Sequence, residues 1–388
     1  MLRYITGLIA FLYAGNSWAQ FDRQQVELDS LTYAQYLQQD WKNLVTTTSK
    51  AIHNDADFPL LNIRAAIASA ALNKPYDEQY YLQRSYRDFP NDPLTLSLLY
   101  NNYLNIGQYP QALRINKQLQ QDSSLKQYYP KRPPIHLAGI EVGFKRSSDS
   151  SLYKPLMYAQ AGLGFRVKTI AFYNAFSYLT QDCYYGRMQQ YQYYLSAMIP
   201  LKRNWTIAPA VHALYYTIQS TIPGLDANKL SATPFVLGIN TSKLHRNFQY
   251  QLGAYYSTLN DENQLQLQPG ITWFPLSGNT LSLNVTGNYL TENGSFTTSA
   301  TANVMLNKYF SLTAAYLNAN TRYYTEQNGF LVNNSYDITG SRYVGMLSFH
   351  PTINWTVYAV YLRETKREST FDIPYNFDTG VLGIRRTF

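Results

Sequence analysis

Histidine and cysteine are the first residues to weigh, because imidazole and thiolate are common nucleophile partners and metal ligands. Of five histidines, His136, His245 and His350 fall where strands are predicted to end, which favours turn or interface roles. His212, within WTIAPAVHALYY, falls on the predicted inner face of a strand, and a hydrogen bond inside the molecule is expected of it. No serine stands at a spacing that would make His212 its base. HExxH, GxSxG and phosphate-loop patterns are missing. Cys183 has no second cysteine to bridge with or to share a metal, and it is read as a loop residue. No catalytic residue, metal or cofactor is therefore assigned, and the chain is not expected to be an enzyme. Two pairings of polar or aromatic residues remain. Glu141 and Lys145, four apart on one strand face, are expected to pair with each other or with loops. The tyrosines of YYGRMQQYQYY could stack on sugar rings, but an interfacial girdle explains them with fewer assumptions.

Those residues sit in a chain of 388 residues that is unusually poor in charge, at 14%, and carries 37 tyrosines. The first residues, MLRYITGLIAFLYAGNSWAQ, have a basic residue, a short apolar run and a small-x-Ala site, so residues 1–19 are predicted to be a secretory signal. Beyond them no apolar run approaches the roughly 18 residues of a spanning helix. The net charge of +8 would suggest nucleic acid, but an export signal argues against that partner. Lys and Arg against Asp and Glu number 10 and 11 over residues 20–130 and 21 and 13 over 131–388, so the basic excess belongs to the second half.

The two halves have different periods. Over Asp29 to Asp122 the pattern is helical, with aromatic anchors Trp41, Tyr76 and Tyr109 about one repeat apart, each preceded by another helical stretch. Three helix pairs are predicted, with Trp41, Tyr76, Tyr103 and Tyr109 as candidates for binding a partner. A plain helical bundle is the alternative. A proline-rich hinge, YYPKRPPIH, follows, and beyond it the period becomes two. In LSLNVTGNYL and NQLQLQPGITWF one face is apolar and the other carries amides and hydroxyls. A soluble sandwich would place Lys and Glu on its polar face. An uncharged polar face, and an apolar face ending in aromatics, fit a membrane barrel. Fourteen strands are predicted between residues 135 and 388. Short turns such as RVKT, PLKRNW, KLHRN and HPTIN alternate with longer connections, of which residues 321–341 are expected to be an outer loop.

The ending GVLGIRRTF places Leu382, Ile384 and Phe388 on one face, so the last strand is expected to close on the first, near IHLAGIEVGFKR. Phe388 resembles the terminal aromatic read by the barrel assembly machinery, although Arg386 departs from that pattern. The short turns hold Arg166, Lys168, Lys202, Arg203, Lys243, Arg246 and Lys308 and no acidic residue, which predicts a basic rim. That rim is expected either to anchor on phosphates of outer-membrane lipid or to draw an anionic polymer or acidic partner toward the lumen. Glu141, Lys145 and His212 are assigned to the lumen.

The fold class expected is thus an α+β multidomain chain: residues 1–19 a signal, 20–130 a periplasmic α-helical domain, and 131–388 an antiparallel transmembrane β-barrel of about 14 strands. The helical units, best matched by Leu99, Tyr103, Gly107, Tyr109 and Ala112, resemble tetratricopeptide repeats. The whole arrangement resembles the YaiO-family barrels, the surface lipoprotein assembly modifiers and, less closely, the larger polysaccharide exporters. The resemblance implies residence in the bacterial outer membrane and a role in export or assembly, with a periplasmic protein or polysaccharide partner. A closed structural or receptor barrel and a barrel-embedded lipid hydrolase using His212 are the alternatives.

Overall fold

The computed structural model describes residues 25–129, 133–151, 153–183, 186–220, 230–259, 262–276, 280–292, 294–370 and 372–388. The predicted signal and the Lys131–Arg132 part of the hinge lie outside these residues. The chain separates into two compact units, residues 1–108 and 109–388.

Among the described residues the first unit holds five helices. These are α1, helical over 25–37, α2 (Trp41–His53), α3 (Pro59–Ala71), α4 (Pro75–Asp88) and α5 (Pro93–Asn105). Pro59, Pro75 and Pro93 stand in the first helical turn, where the missing N–H costs nothing and the fixed φ suits a helix. Asp92 adds a side-chain cap by accepting from the Thr95 N–H at 2.8 Å. The helix ends repeat a backbone device. Gln39, Asn73 and Gly107 adopt left-handed φ at intervals of 34 residues, and the following N–H of Asp40, Lys74 and Gln108 bonds back to Gln35, Ser69 and Tyr103. The repeat read from aromatic anchors is thus carried by the turns as well.

Leu44, Leu61, Ala65, Leu82, Leu99 and Tyr103 form the core of this unit. Two ion pairs cross between segments. Arg64 of α3 reaches Asp29 of α1 at 2.7 Å, and Arg84 of α4 reaches Asp57, just before α3, at 2.9 Å. Tyr76 and Tyr103 are 6% and 1% exposed, so they are packing residues and present no surface to a partner. This corrects their assignment as binding residues. Trp41 stacks edge-on against Tyr36.

The second unit begins with α6 (Tyr109–Leu119), which opens on exposed Tyr109 and whose Gln111 Nε2 donates to Thr206 Oγ1 at 2.8 Å. Its remaining elements are β1 (Ile135–Ser147), β2 (Tyr153–Val167), β3 (Ile170–Cys183), β4 (Gly186–Pro200) and β5 (Trp205–Ser220). Next come β6 (Leu230–Ala232 continuing as Phe235–His245), β7 (Phe248–Leu259), β8 (Glu262–Trp273), β9 (Leu281–Leu290) and β10 (Phe296–Met305). The last four are β11 (Phe310–Glu326), β12 (Leu331–Thr352), β13 (Trp355–Arg367) and β14 (Pro374–Thr387). Each strand pairs antiparallel with its neighbours in sequence, and β14 pairs with β1 from Leu137↔Thr387 to Ser147↔Phe377. The fourteen strands therefore form a closed barrel. Pro234 interrupts β6 because it cannot donate to the ladder. Cys183 ends β3, where a loop was expected.

The polarity of this barrel is inverted relative to a soluble protein. Ile140, Val142, Leu252, Val285 and Leu382 are exposed, Ile140 by 61%, while Gln264, Gln266, Gln268, Asn288 and Thr297 are buried, Gln266 to 3%. An apolar band on the outside and amides within is the arrangement that lipid selects.

The strands differ from expectation in two respects. Most connections at the end opposite the basic turns are short, with strands running on where loops were expected. Residues 321–341, expected to be an outer loop, instead complete the β11–β12 hairpin.

Burial alone opposes ionisation of Asp57, but hydrogen bonds from Asn62 and Arg84 and the Arg84 charge outweigh it and hold its pKa below the usual carboxylate value of 3.8. A depressed folded-state pKa contributes stability that is present above 3.8 and is lost as pH falls through the folded value. Asp57→Asn is expected to destabilise the helices by about 1 kcal/mol at pH 7 and by less at pH 2. Thermal melts followed at 222 nm check this, and an equal difference at both values would contradict it.

Candidate functional site in the barrel lumen

The β11–β12 hairpin bends where both of its strands break register. Pairing shifts between Asn318 and Thr321, where Asn320 takes a left-handed φ of 58°, and on the partner strand between Thr339 and Ser341, at Gly340. Asn is among the few side chains that tolerate that conformation. The tip turns through three consecutive left-handed residues, Gln327, Asn328 and Gly329.

Beyond the bend the hairpin lies against inward-facing side chains of much of the barrel wall. From β8, Gln264 and Gln266 donate to the Tyr323 and Thr325 carbonyls at 3.1 and 2.7 Å, and Gln266 accepts from the Thr325 N–H at 2.9 Å. From β4, the Tyr194 hydroxyl donates to the Asn328 carbonyl at 3.1 Å. His212 of β5 bridges the Gly329 carbonyl, through Nδ1 at 2.9 Å, and the Gln192 side chain, through Nε2 at 3.1 Å. Phe330 packs edge-on against Tyr173 and Tyr194. Tyr255 of β7, Val236 and Leu259 form a small apolar cluster with Tyr323. Tyr255 fits because Gly238 lies beneath it, where a Cβ would collide with the ring.

The other side of the hairpin is held by charge. Arg342 pairs with Glu326 and lies 3.8 Å from Glu364 Oε1, whose other oxygen takes Lys145 Nζ at 2.6 Å. Lys366 reaches Asn333 at 3.3 Å. Asp337 accepts from the hydroxyls of Tyr153, at 2.6 Å, and Tyr375. Arg342, Lys145 and Lys366 thus face Glu326, Glu364 and Asp337. Buried charge persists only in such company.

Glu141 and Lys145 both face the lumen but do not pair. Side chains four apart on a strand are about 13 Å distant along it. Glu141 accepts instead from the hydroxyls of Tyr158 and, at 2.5 Å, Tyr358, and Lys145 bonds Glu364. The links to Tyr358 and Glu364 step over β14 and so brace the β1–β14 closure from inside.

The basic residues of the rim share the end of the barrel where α6 meets β5. Lys168, Arg203 and Arg246 adopt left-handed φ in their turns, and Lys202 sits in a 3-10 turn beside Arg203. Arg166 belongs to the inward-facing set of β2 residues. Lys243 stacks on Trp205 and Lys308 on Tyr309, rings that face outward. Phe388 is on the same outer face, and its N–H donates to the His136 carbonyl at 3.1 Å. Sequence periodicity does not reveal the hairpin as part of the site. Its one signal is Asn328-Gly329, a hairpin turn pair within a stretch still rich in β-formers.

No family model matches the chain, and no curated protein is similar to it in sequence. Among solved structures, the toluene transporter TodX of Pseudomonas putida is 7% identical over 70% of this chain and 94% of its own, with a TM-score of 0.47. The outer membrane protein Omp33 of Acinetobacter baumannii is 10% identical over 66% and 100%, with a TM-score of 0.39. The translocator domain of the autotransporter NalP from Neisseria meningitidis is 11% identical over 74% and 99%, with a TM-score of 0.32. These likenesses concern fold alone and decide nothing about cargo. The strand pairing itself defines the class: a closed antiparallel β-barrel of the outer-membrane type, with a helical N-terminal region.

Glu364 joins the wall to the hairpin's charge network. Glu364→Gln leaves Lys145 and Arg342 short of a counter-charge and is expected to weaken docking by about 3 kcal/mol. Protease cleavage between residues 326 and 337 in mild detergent should rise by about 100-fold, with the barrel still resistant to unfolding on a gel without boiling. Unchanged cleavage would contradict the assignment.

Proposed function

We propose that this protein is a non-enzymatic translocation or assembly factor of the bacterial outer membrane. Its helical unit collects a periplasmic protein or polysaccharide partner, and the barrel passes that cargo toward the cell surface when the β11–β12 hairpin leaves the lumen. The basic turns and α6 face the periplasm in this reading, and Phe388 serves the assembly machinery during insertion.

The observation that carries the reading is the chemistry of the hairpin's contacts. Beyond the bend it is held by hydrogen bonds from Gln264, Gln266, Tyr194 and His212, by a small apolar cluster, and by the polar contacts of Glu326 and Asp337. In a wet lumen such bonds exchange for bonds to water at about 1 kcal/mol each. An element held this way is a gate, because it closes the lumen firmly without making opening prohibitive. Both ring nitrogens of His212 are engaged, Nδ1 with the hairpin at Gly329 and Nε2 with Gln192 of the wall, which favours this role over a general base in lipid hydrolysis.

A receptor or structural barrel with a permanently closed lumen is the second reading, favoured by the hairpin's contacts with β4, β5, β7, β8 and, through Asp337, β2 and β14. Single-channel recording separates them. The native chain should show brief, rare openings, and a chain with residues 321–339 replaced by a short Gly-Ser turn should conduct steadily. A shortened chain that stays closed would reject the gate and leave the receptor reading.

A further inference from the structure

The two ends of the barrel treat their outward-facing cations differently. At the end opposite α6, three outward cations are paired with acids, Arg187 with Asp182 at 2.6 Å, Arg367 with Asp372 at 3.3 Å and Arg363 with Asp378 at 3.9 Å, while Arg322 lies 5.7 Å from the Tyr336 ring centre. At the α6 end the turns 166–169, 200–205, 243–248, 273–281, 305–310 and 350–355 contain no Asp or Glu. There the outward cations sit on aromatic rings. Lys243 Nζ lies 5.3 Å from the Trp205 ring centre, Lys308 Nζ 4.8 Å from Tyr309, and Arg386 is 4.6 Å from Phe388 and 5.4 Å from Trp355. Among the described residues no carboxylate pairs with Lys243, Lys308 or Arg386.

The placement is built into the sheet. Trp205↔Lys243 and Trp355↔Arg386 are directly opposed cross-strand pairs, and both members of each lie on the lipid-facing side of their strands, with Leu237 and Ile239 or Val357 and Ile384 following at the same face. An indole ring settles at the boundary between hydrocarbon and headgroup. A cation resting on it is thereby fixed at phosphate depth, and its charge is left available because the ring quadrupole offers only partial compensation. Arg386 adds the planar fork that takes two phosphate oxygens. Cations in this position face away from the lumen, so they do not form a funnel for cargo.

We infer that Lys243 with Trp205, Lys308 with Tyr309, and Arg386 with Trp355 and Phe388 form three binding sites for the headgroup phosphate of anionic glycerophospholipid in the leaflet at the α6 end. This inference is independent of the translocation reading, since it concerns only the outer wall.

Native mass spectrometry of the detergent-purified full chain, titrated with phosphatidylglycerol or phosphatidylcholine, tests it. The unaltered chain should retain up to three phosphatidylglycerol molecules at least fivefold more readily than phosphatidylcholine. Lys243→Gln, Lys308→Gln and Arg386→Gln should each remove one, with barrel resistance to unboiled electrophoresis intact. Equal retention of the two lipids, or unchanged phosphatidylglycerol retention in the triple variant, would overturn the inference. Loss of binding to soluble polyglutamate in the triple variant without loss of phosphatidylglycerol would also overturn it and assign the cations to an acidic partner.

Discussion

Backbone polarity in lipid is the constraint on which the rest of this structure depends. A sheet crossing hydrocarbon must satisfy every N–H and C=O internally, and only closure removes the two unpaired edges. Here the requirement falls on one seam, the eleven-residue register of β1 on β14, ending where the Phe388 N–H meets His136. Two contacts brace that seam from within by reaching across β14: Glu141 with Tyr358 and Lys145 with Glu364. The tyrosine at 358 lies over Gly383, where a Cβ would collide with its ring, so the small residue on the last strand is part of the brace.

Closure creates the second problem, a polar interior. Side chains that alternate inward from fourteen strands bring amides, hydroxyls and charges into one confined space, and unpaired groups there are costly. The hairpin resolves much of this. It offers backbone carbonyls to Gln264, Gln266, Tyr194 and His212, a carboxylate to Tyr153 and Tyr375, and the Arg342 guanidinium to Glu364. Many polar groups of the lumen wall and of the hairpin find partners in each other, which stabilises a strand pair with register breaks. The same polar complementarity means that water is a competent substitute for the wall, which supports the proposed role of this wall filler as a gate.

Much of the architecture was legible in the sequence, for specific reasons. Alternation in NQLQLQPGITWF reports which face is apolar, and the uncharged amides of its other face report that water is not the outer solvent. Pro59, Pro75 and Pro93 mark helix starts, and the 34-residue recurrence of Gln39, Asn73 and Gly107 marks helix ends. What failed did so because periodicity is local. It could not tell that Tyr76 and Tyr103 pack inward, since aromatic anchors look alike whether buried or displayed. It offered Glu141 and Lys145 each other or the loops as partners, whereas a spacing of four on a strand separates the side chains and their partners lie on other strands. It read 321–341 as loop because the bend at Asn320 and Gly340 breaks the alternation, and nothing in a linear pattern shows that a hairpin turns inward rather than out.

The central claim is that the tip of this hairpin resides in the lumen against β4 and β5. Cysteines placed at Gln192 and Asn328, with Cys183 replaced by serine, test it directly in the folded, unboiled protein. A short-spacer bismaleimide, adding to each thiolate, should join the two positions within one chain, and a bulky membrane-impermeant maleimide added from outside should leave position 328 unlabelled. Absence of the cross-link together with rapid labelling at 328 would place the hairpin outside the barrel and contradict the account.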